Sequence, residues 1–422
     1  MNKRTNPTNS KTNQSFSDFT STLSAKWRLL TTPAKPALPG KDQHGPEEME
    51  DILRQLVGIP TTTGNYEANH NALDYIERFL KKRGLYVTRP EWNGIESLVA
   101  TTGKSKTPTV FLAAHLDVVP GSEEMFELRE EDGKYFGRGT LDMKFAIAAY
   151  LQIVDDLKGK LQQYDFGIVI TTDEEAGGFD GMGNLVEDGY LPKVCVLPDG
   201  GDDWQIQTFS KGFYYLSLTV DGSPAHGSRP WLGDNAILRI AKVINEMHEL
   251  FPEINVDTNS FNIGRIHGGQ TVNQVAHHAE ALLDIRYISK EEGEKVLAKI
   301  KQICRSYDAK LHTVIKGLDT NFDLEDPLIA PFAQLITEVT GTKVVGSRTT
   351  GSNDTRYFAE YGIPCISVYP KGGGHHGPNE WLDKESFFQF HTIVRKYIDQ
   401  VARKNTRSAA KHPKKNSTVE VR

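Results

Sequence analysis

Apolar residues recur at helical spacing in some segments and at strand spacing in others, and the two kinds of segment alternate along the chain. After Pro46, the positions of Met49, Ile52, Leu53 and Leu56 predict a first helix. A later helix carries an apolar stripe that is typical of a buried face, namely Ile147, Tyr150, Leu151, Val154 and Leu157. The other elements predicted before Lys211 are a helix at 69–82 and strands at 85–88, 97–101, 109–114, 166–170 and 194–197.

The pattern changes at Lys211, where 213–221 alternates as a half-buried strand. A helix at 236–250, strands at 258–266 and 279–288, a helix at 290–307 and a strand at 310–315 follow. This β-α-β-β-α-β order is that of a ferredoxin-like unit. Helices and strands then alternate again, with helices at 327–339, 354–360 and 385–402 and strands at 343–345 and 365–369.

The predicted fold is α/β, a mainly parallel sheet sandwiched by helices, with an inserted ferredoxin-like α+β domain. We place the main domain at 41–210 plus 321–403 and the inserted domain at 211–320. Residues 1–40 are polar and predicted to be disordered, apart from a possible short helix at 19–30. Residues 404–422 are predicted to form a disordered basic tail.

Charge and cysteine content narrow the function classes. The formal net charge of -6 gives no reason to expect nucleic acid or an anionic membrane as a partner. Three widely separated cysteines, without paired spacing, indicate buried thiols in a reducing compartment. With no apolar run long enough to cross a bilayer and no hydrophobic amino-terminal segment, a cytoplasmic protein is expected.

A histidine and an aspartate follow the predicted strand at 109–114, in the segment FLAAHLDVVP. The imidazole of His115 is a standard zinc ligand, and the carboxylate of Asp117 can accept the other ring N–H and fix the tautomer. A single histidine after an apolar strand is more often structural. The His-x-Asp spacing at a strand end favours a metal site.

Three further places carry possible metal ligands. Asp142, in GRGTLDMK, either caps the following helix or bridges two metals. Asp199, in LPDGGDD, either forms an Asp-Gly turn or binds a metal. His375 and His376, in GGGHHGPNEW, either lie in a plain surface loop or supply an imidazole. Because open α/β sheets bind ligands at the carboxyl ends of their strands, these side chains are expected to converge.

Two adjacent carboxylates, Glu174 and Glu175, follow the strand predicted at 166–170. Taken alone, such a pair is more often part of a solvated loop, since charge clusters usually face water. On an extended segment, however, neighbouring side chains point to opposite sides. One of the two can then bind a cation while the other moves a proton.

Together these residues supply enough imidazole and carboxylate groups for two metal ions, with one carboxylate left over. Two cations about 3.5 to 4 Å apart that share a carboxylate and a water polarise a carbonyl and deliver hydroxide. The spare glutamate then accepts the proton of the water and passes it to the departing amine. Ligation by histidine and carboxylate without thiolates predicts two Zn²⁺ ions, with Co²⁺ or Mn²⁺ as alternatives.

The ordered motifs, over about residues 45–403, resemble a family of co-catalytic zinc peptidases. This family includes glutamate carboxypeptidase, succinyl-diaminopimelate desuccinylase, acetylornithine deacetylase, aminoacylase and the carnosinase-like dipeptidases. The resemblance implies that His115 binds one metal, that Asp117 orients it and that Asp142 bridges. It further implies that Glu174 is the general base, that Glu175 and Asp199 bind opposite metals, and that the last ligand is His376, four residues before Glu380, and not His375.

The inserted α+β domain at 211–320 resembles the lid or dimerisation domain of this family, which usually also forms the homodimer. The resemblance implies that 41–210 plus 321–403 form the catalytic domain. His226, in GSPAHGSRPWLGDNAI, is similar to the lid histidine that polarises the scissile carbonyl, often in the partner subunit's site. Asn273 in GGQTVNQV and Arg286 in LLDIRYIS resemble residues that hold substrate carbonyl and carboxylate groups. Arg356, in TGSNDTRYF, resembles an anion-binding arginine of the desuccinylases. From local sequence alone, both arginines would form surface ion pairs.

Two positions depart from the family pattern. Phe145 follows Asp-Met-Lys where glycine is common, which affects packing behind Asp142 and not ligation. Asp199 is an aspartate, as in many peptidase members, whereas acylases and deacylases more often have glutamate. The expected function is a homodimeric zinc hydrolase that cleaves a peptide or amide bond next to a free carboxylate, in a small substrate, as carboxypeptidases and dipeptidases do. The alternatives are an N-acyl amino acid deacylase and, from another class, an inactive binding protein on the same scaffold.

Overall fold

The computed structural model describes residues 48–404. The tail predicted at 1–40, with the short helix at 19–30, lies outside these residues, as does the tail predicted at 404–422 except for its first residue. The described helices are α1 Glu48–Val57, α2 Tyr66–Lys82, α3 Lys144–Asp156, α4 Asn184–Glu187, α5 Ala236–His248, α6 Lys290–Ser306, α7 Ala330–Thr340, α8 Thr355–Ala359 and α9 Lys384–Val401. None of the helices in this part of the chain is both long and apolar enough to span a membrane.

The strands, numbered in chain order, fall into one large sheet, the sheet of the inserted unit and three small sheets. They are β1 Tyr86–Thr88, β2 Glu91–Trp92, β3 Ile95–Glu96, β4 Leu98–Thr101, β5 Val110–His115, β6 Arg129–Glu131, β7 Lys134–Phe136, β8 Phe166–Thr171, β9 Val194–Val196, β10 Ile206–Ser210, β11 Gly212–Asp221, β12 Ser260–Gly268, β13 His278–Tyr287, β14 Lys310–Gly317, β15 Thr320–Asn321, β16 Gly346–Thr349, β17 Cys365–Ile366, β18 Gly372–Gly373 and β19 Trp381–Asp383.

The large sheet has six strands in the order β1-β4-β8-β5-β9-β17. Strands β8, β5, β9 and β17 run parallel, while β4 is antiparallel to both of its neighbours. Side chains alternate between the two faces, so Leu112 enters one apolar cluster and Phe111 and Ala113 enter another. Both faces are thus covered, which confirms the mainly parallel sheet between helices.

Helix α3 fills the space between the sheet and the outer helices. Every residue of its predicted stripe is completely buried. Phe145 is buried as well, and its ring meets that of Phe390 in α9 edge-on, with 5.0 Å between centroids. The phenylalanine that departs from the family's glycine therefore packs in the core, behind the segment that carries Asp142.

The inserted unit has the predicted element order β11-α5-β12-β13-α6-β14. Its four antiparallel strands lie in the order β12-β13-β11-β14, and α5 and α6 share an apolar cluster with them. The α/β fold with an inserted α+β unit is confirmed. The residue limits that we gave for the two domains stay a prediction.

Some predicted elements were displaced or missed. The strand predicted at 343–345 was wrong, because the observed strand in this region is β16. Strand β16 pairs with β10, which was not predicted. The strand predicted at 365–369 is regular only over Cys365–Ile366. Neither β16 nor the residues after β17 form a long alternating pattern, so pairing across the fold, and not the local sequence, sets their limits.

Candidate metal centre

The predicted ligands meet at the carboxyl edge of the large sheet. His115 ends β5, the two glutamates follow β8, Asp199 follows β9, and His376 lies in the loop between β17 and β19. Because these strands are parallel, their ends open onto the same side, as expected for a ligand site in an open α/β sheet. The residues fall into two overlapping groups of possible metal donors.

The first group contains His115, Asp142 and Asp199, each with a donor atom within 4.8 Å of the others. Nδ1 of His115 lies 2.9 Å from the main-chain oxygen of Asp117. Since a carbonyl oxygen only accepts, Nδ1 must donate, which leaves Nε2 to face Oδ1 of Asp142 at 3.0 Å. Two electron-pair donors aimed at each other need a proton or a cation between them.

The second group contains Asp142, Glu175 and His376. Nε2 of His376 lies 3.1 Å from Oδ2 of Asp142 and 3.1 Å from Oε2 of Glu175. Asp142 therefore presents one carboxylate oxygen to each histidine, which is the geometry of a bridging ligand. His375 belongs to neither group, and its ring instead stacks against that of Tyr369.

The charges of the site depend strongly on burial. Burial, together with the charge of the adjacent Asp142, raises the pKa of Asp199 to about 7. Burial would also raise the pKa of Asp142, but hydrogen bonds from His115 and His376 outweigh it and hold the pKa well below its usual range. The pKa of His376 is raised to about 10 by hydrogen bonds to Asp142 and Glu175. Imidazole and carboxylate donors that crowd together in this way, without thiolates, fit zinc, cobalt or manganese.

Glu174 lies outside both groups. It begins a short 3-10 turn, Glu174–Ala176, so our premise of an extended segment at the two glutamates was wrong. The turn, and not strand alternation, separates their side chains. Burial raises the pKa of Glu174 well above its ordinary value, and Asp199 adds to the rise. A carboxyl group in this environment can accept a proton near neutral pH.

Asp117 holds this turn in place. Its spacing from His115 predicts a different contact, between the carboxylate and the ring N–H of His115. The carboxylate accepts hydrogen bonds from the N–H groups of Glu174 and Glu175, both at 3.2 Å, and from the hydroxyl of Thr63 at 2.9 Å. Oδ1 lies 3.7 Å from Nδ1 of His115. The main-chain oxygen of Asp117, and not its carboxylate, accepts the ring N–H.

Glu380 fixes the backbone on both sides of Asp142. Helix α3 begins at Lys144 with Met143 at its N-cap and no side-chain cap, so the alternative that Asp142 caps the helix was wrong. The completely buried carboxylate of Glu380 instead accepts four hydrogen bonds of 2.7 to 3.1 Å, from the N–H groups of Gly139, Leu141 and Asp142 and from Nη1 of Arg138. Arg138 also donates to the main-chain oxygen of Gly377, next to His376.

The lid residues lie apart from the metal-binding groups. His226 and Asn273 are exposed neighbours: Gly227 donates its N–H to the oxygen of Asn273 at 2.7 Å, and Nδ1 of His226 accepts the N–H of Ser228 at 3.1 Å. Among the described residues, no hydrogen bond or ion pair joins either one to the metal-binding groups.

The two arginines differ in setting. Arg286 forms the ion pair expected from local sequence, with Nε 2.8 Å from Oδ1 of Asp284. Arg356 is buried, so a surface ion pair was wrong there. Its guanidinium donates to the main-chain oxygens of Gly177 and Asn353 behind the Glu174 turn.

Sequence reasoning missed Tyr369 and Glu380 as parts of the centre. Tyr369 places its hydroxyl 2.6 Å from Oδ1 of Asp199. Glu380 was used only to mark His376. Both lie in the segment that also carries the histidine pair, which is the one signal that would have pointed to them.

An α/β sheet with two overlapping groups of imidazole and carboxylate donors at its carboxyl edge, beside an inserted α+β unit, defines a metal-dependent hydrolase of peptide or amide bonds. The model of peptidase family M20/M25/M40 matches residues 111–400. The chain belongs to this family, whose members are metal-dependent and typically use zinc.

Relatives and solved structures agree with this membership. The chain is 25% identical over 358 residues to a succinyl-diaminopimelate desuccinylase of Caulobacter sp. (strain K31), covering 78% of this chain and 89% of the relative. A probable desuccinylase of this kind from Staphylococcus epidermidis is 26% identical over 81% of this chain and 95% of its own length.

Solved structures share the fold. Aminopeptidase PepT from Bacillus cereus superposes with a TM-score of 0.71 at 22% identity, over 84% of this chain and 98% of that one. An M20 family metallo-carboxypeptidase from Sulfolobus solfataricus gives 0.66 at 17% identity, over 83% and 98%.

Proposed function

We propose that this hydrolase cleaves a peptide or amide bond next to a free carboxylate at a centre of two zinc ions, with cobalt or manganese able to replace zinc. His115, Asp142 and Asp199 would hold one ion, and Asp142, Glu175 and His376 would hold the other. The observation that carries the proposal is the carboxylate of Asp142, which has one oxygen 3.0 Å from His115 and the other 3.1 Å from His376. Bound metal ions supply Lewis acidity and an activated water.

Glu174 is the proposed general base. It contributes to neither donor group, and its N–H is held by the carboxylate of Asp117. Because burial raises its pKa, it takes a proton from the attacking water and returns it to the leaving amine without a change of position. Asp117 is a positioning residue that fixes both the turn and the ring of His115.

His226 lies apart from the metal-binding groups of its own chain, and we propose that it donates to the scissile carbonyl in the site of the partner subunit. Its Nδ1 accepts the N–H of Ser228, so the neutral ring carries its proton on Nε2. That N–H is free to stabilise the oxygen on which negative charge develops. Asn273, beside it in the lid, is proposed to hold a second substrate oxygen.

The free carboxylate of the substrate is proposed to bind where the lid meets the loop after β16. A cavity of about 600 Å³ is lined there by Lys211, Arg286, Ser260 and Thr350. The Lys211 ammonium donates to two main-chain oxygens, at 2.6 Å each, and has no carboxylate at ion-pair distance among the described residues. A buried cation without a counter-ion favours an anionic ligand. Arg356, buried behind the Glu174 turn, adds positive charge.

A homodimer through the lid is also proposed. Strand β12 is an edge strand with exposed Ile263 and Ile266, and α5 exposes Leu238, which is 65% accessible. Exposed apolar side chains beside an unpaired strand edge favour association with a second copy of the same chain. The location in the cytoplasm stays a prediction.

The test is a panel of substrates for the zinc-loaded protein. We expect turnover of dipeptides with a free carboxyl terminus, and little turnover of the same dipeptides as carboxyl-terminal amides. Turnover of N-succinyl or N-acetyl amino acids alone would instead establish the second candidate, a deacylase. That candidate is favoured by the desuccinylases among the relatives. No turnover of either class by protein that holds zinc would favour the binding-protein reading.

A further inference from the structure

Tyr369 lies at the first metal-binding group without belonging to the set of ligands. Its side chain is 6% exposed, and its hydroxyl oxygen is 2.6 Å from Oδ1 of Asp199 and 3.2 Å from Oδ1 of Asp142. These two carboxylates and His115 make up that group. A phenol therefore stands between two of the three proposed ligands of one metal ion.

The direction of the hydrogen bond follows from the chemistry of the groups. Ionised carboxylates only accept, so the phenol must donate, and its single proton goes to the nearer oxygen, on Asp199. Among the described residues, this is the one hydrogen bond to the carboxylate of Asp199. The proton also lies between two negatively charged oxygens and reduces their repulsion.

The backbone of Tyr369 is tied to the same segment. Its N–H donates to the main-chain oxygens of Gly200 and Gly201, at 2.9 and 2.8 Å, and its own oxygen accepts the N–H of Trp204 at 3.0 Å. These residues directly follow Asp199. Movement of the phenol relative to Asp199 is therefore restricted from the main chain as well as from the side chain.

We propose that Tyr369 is a positioning residue of the metal centre, which holds Asp199 as a ligand by donating the phenol hydrogen to its Oδ1. The inference rests on the proposed metal centre. It deepens that proposal by adding a neutral hydroxyl group that orients a metal ligand through a hydrogen bond. The phenol donates to the ligand and does not itself bind the metal.

The test is a zinc titration of the metal-free full-length chain, with a competing chelator to resolve the two binding steps. Tyr369→Phe removes one oxygen and keeps the ring. We expect one of the two steps to weaken by about 10- to 100-fold, the usual effect of losing a group that orients a ligand, while the other changes little. Cobalt-loaded protein should show a changed visible spectrum for one ion only.

The matched control is Tyr397→Phe. Tyr397 is also completely buried, and its hydroxyl donates to the main-chain oxygen of Leu328 at 2.5 Å, among the helices. This variant should lose stability to a similar extent and keep both zinc affinities. Asp199→Asn supplies a second variant: adding Tyr369→Phe to it should cause no further loss of affinity, since the hydroxyl acts through Asp199.

Unchanged zinc affinities in Tyr369→Phe, with two ions bound by the wild type, would overturn this inference and leave the metal centre intact. A phenolate-to-metal charge-transfer band in iron(III)-loaded wild type would overturn it differently, by making Tyr369 a ligand. A wild-type chain that binds no zinc would remove both the inference and the proposed function.

Discussion

Asp142 and Glu174 differ in what surrounds them, and this difference separates metal binding from proton transfer. Hydrogen bonds from two histidines stabilise the charged form of Asp142. Among residues 48–404, no group donates a hydrogen bond to the carboxyl group of Glu174, and burial raises its pKa well above the ordinary value. One carboxylate is therefore suited to hold cations permanently, while the other is suited to gain and lose a proton in each turnover.

Replacing Glu174 by glutamine tests whether this single residue is the general base. We expect kcat to fall by about 10²- to 10⁴-fold, because an amide cannot accept the proton of the attacking water. Zinc content should not change, since Glu174 is in neither donor group. Glu187→Gln, at an exposed position in α4, is the control and should keep full activity. Hydrolysis at the wild-type rate by Glu174→Gln would exclude this residue as the base.

Replacing Glu380 by glutamine tests the support of Asp142. Both carboxylate oxygens of Glu380 accept backbone N–H groups. In either orientation of the glutamine amide, its NH₂ group would face an N–H donor, so we expect a loss of about 3 to 5 kcal/mol in the free energy of unfolding. Affinity for zinc should fall as well, because Asp142 and Gly377 are held by the Glu380–Arg138 pair.

The control for Glu380 is Asp155→Asn, which breaks the ion pair of Asp155 with the buried Arg83, away from the metal centre. Denaturant unfolding and zinc titration of both variants give the comparison. If both lose stability and keep the zinc affinity of the wild type, Glu380 has no role in metal binding.

The sequence alone could point to the proposed ligands but not to the groups that support them. His115, Glu175 and Asp199 stand at the ends of apolar strands, so a local pattern points to each. The partners of Glu380 lie about 240 residues earlier in the chain, and Tyr369 is separated from Asp199 by 170 residues. No local spacing encodes such contacts, because they exist only after the strands have paired.

At the scale of elements, long apolar patterns were predictable and short exposed segments were not. Strands β5 and β8 are buried along their whole length, and helix α3 is buried except at Gln152 and its last two residues, so their sequences carry a strong signal. Strand β16 is half exposed, and it is a strand only because it pairs with β10. The turn at Glu174 likewise depends on Asp117, which lies on another strand end.

The exposed face of the lid gives a prediction at this scale. Leu238→Asp on α5 places a charge where we propose that two copies meet, so we expect a monomer where the wild type forms a dimer. Sedimentation analysis at several concentrations gives the mass of each. Val345→Asp is the matched control, since Val345 is also an exposed apolar residue, at 52% against 65% for Leu238, but lies outside the lid, and it should leave the dimer unchanged. A Leu238→Asp protein that remains dimeric would contradict an interface through this face.

At the scale of the whole molecule, the buried carboxyl groups make the stability of the fold depend on pH. Burial raises the pKa of Asp173 to about 8 and that of Asp117 to about 6, with Asp354 and Glu175 respectively adding to the rise. A carboxyl group whose pKa is raised in the folded state stabilises the fold fully below its ordinary pKa. This contribution is lost as the pH rises through the raised value.

The metal-free protein should therefore become less stable between pH 5 and pH 7. Each group with a raised pKa lowers the free energy of unfolding by up to about 1.4 kcal/mol per pH unit. Bound zinc favours the charged form of Asp199, so the zinc-loaded protein should show a smaller change. Calorimetric Tm values of both forms over this range measure the effect. A metal-free Tm that rises from pH 5 to pH 7 would contradict the assigned carboxyl groups.

The central claim is that Asp142 bridges two metal ions, and anomalous diffraction from crystals of the zinc-loaded protein tests it most directly. Maps collected on either side of the zinc edge should show two peaks about 3.5 to 4 Å apart. One peak should lie between His115, Asp142 and Asp199, and the other between Asp142, Glu175 and His376. A single peak, or two peaks of which only one contacts Asp142, would contradict the account.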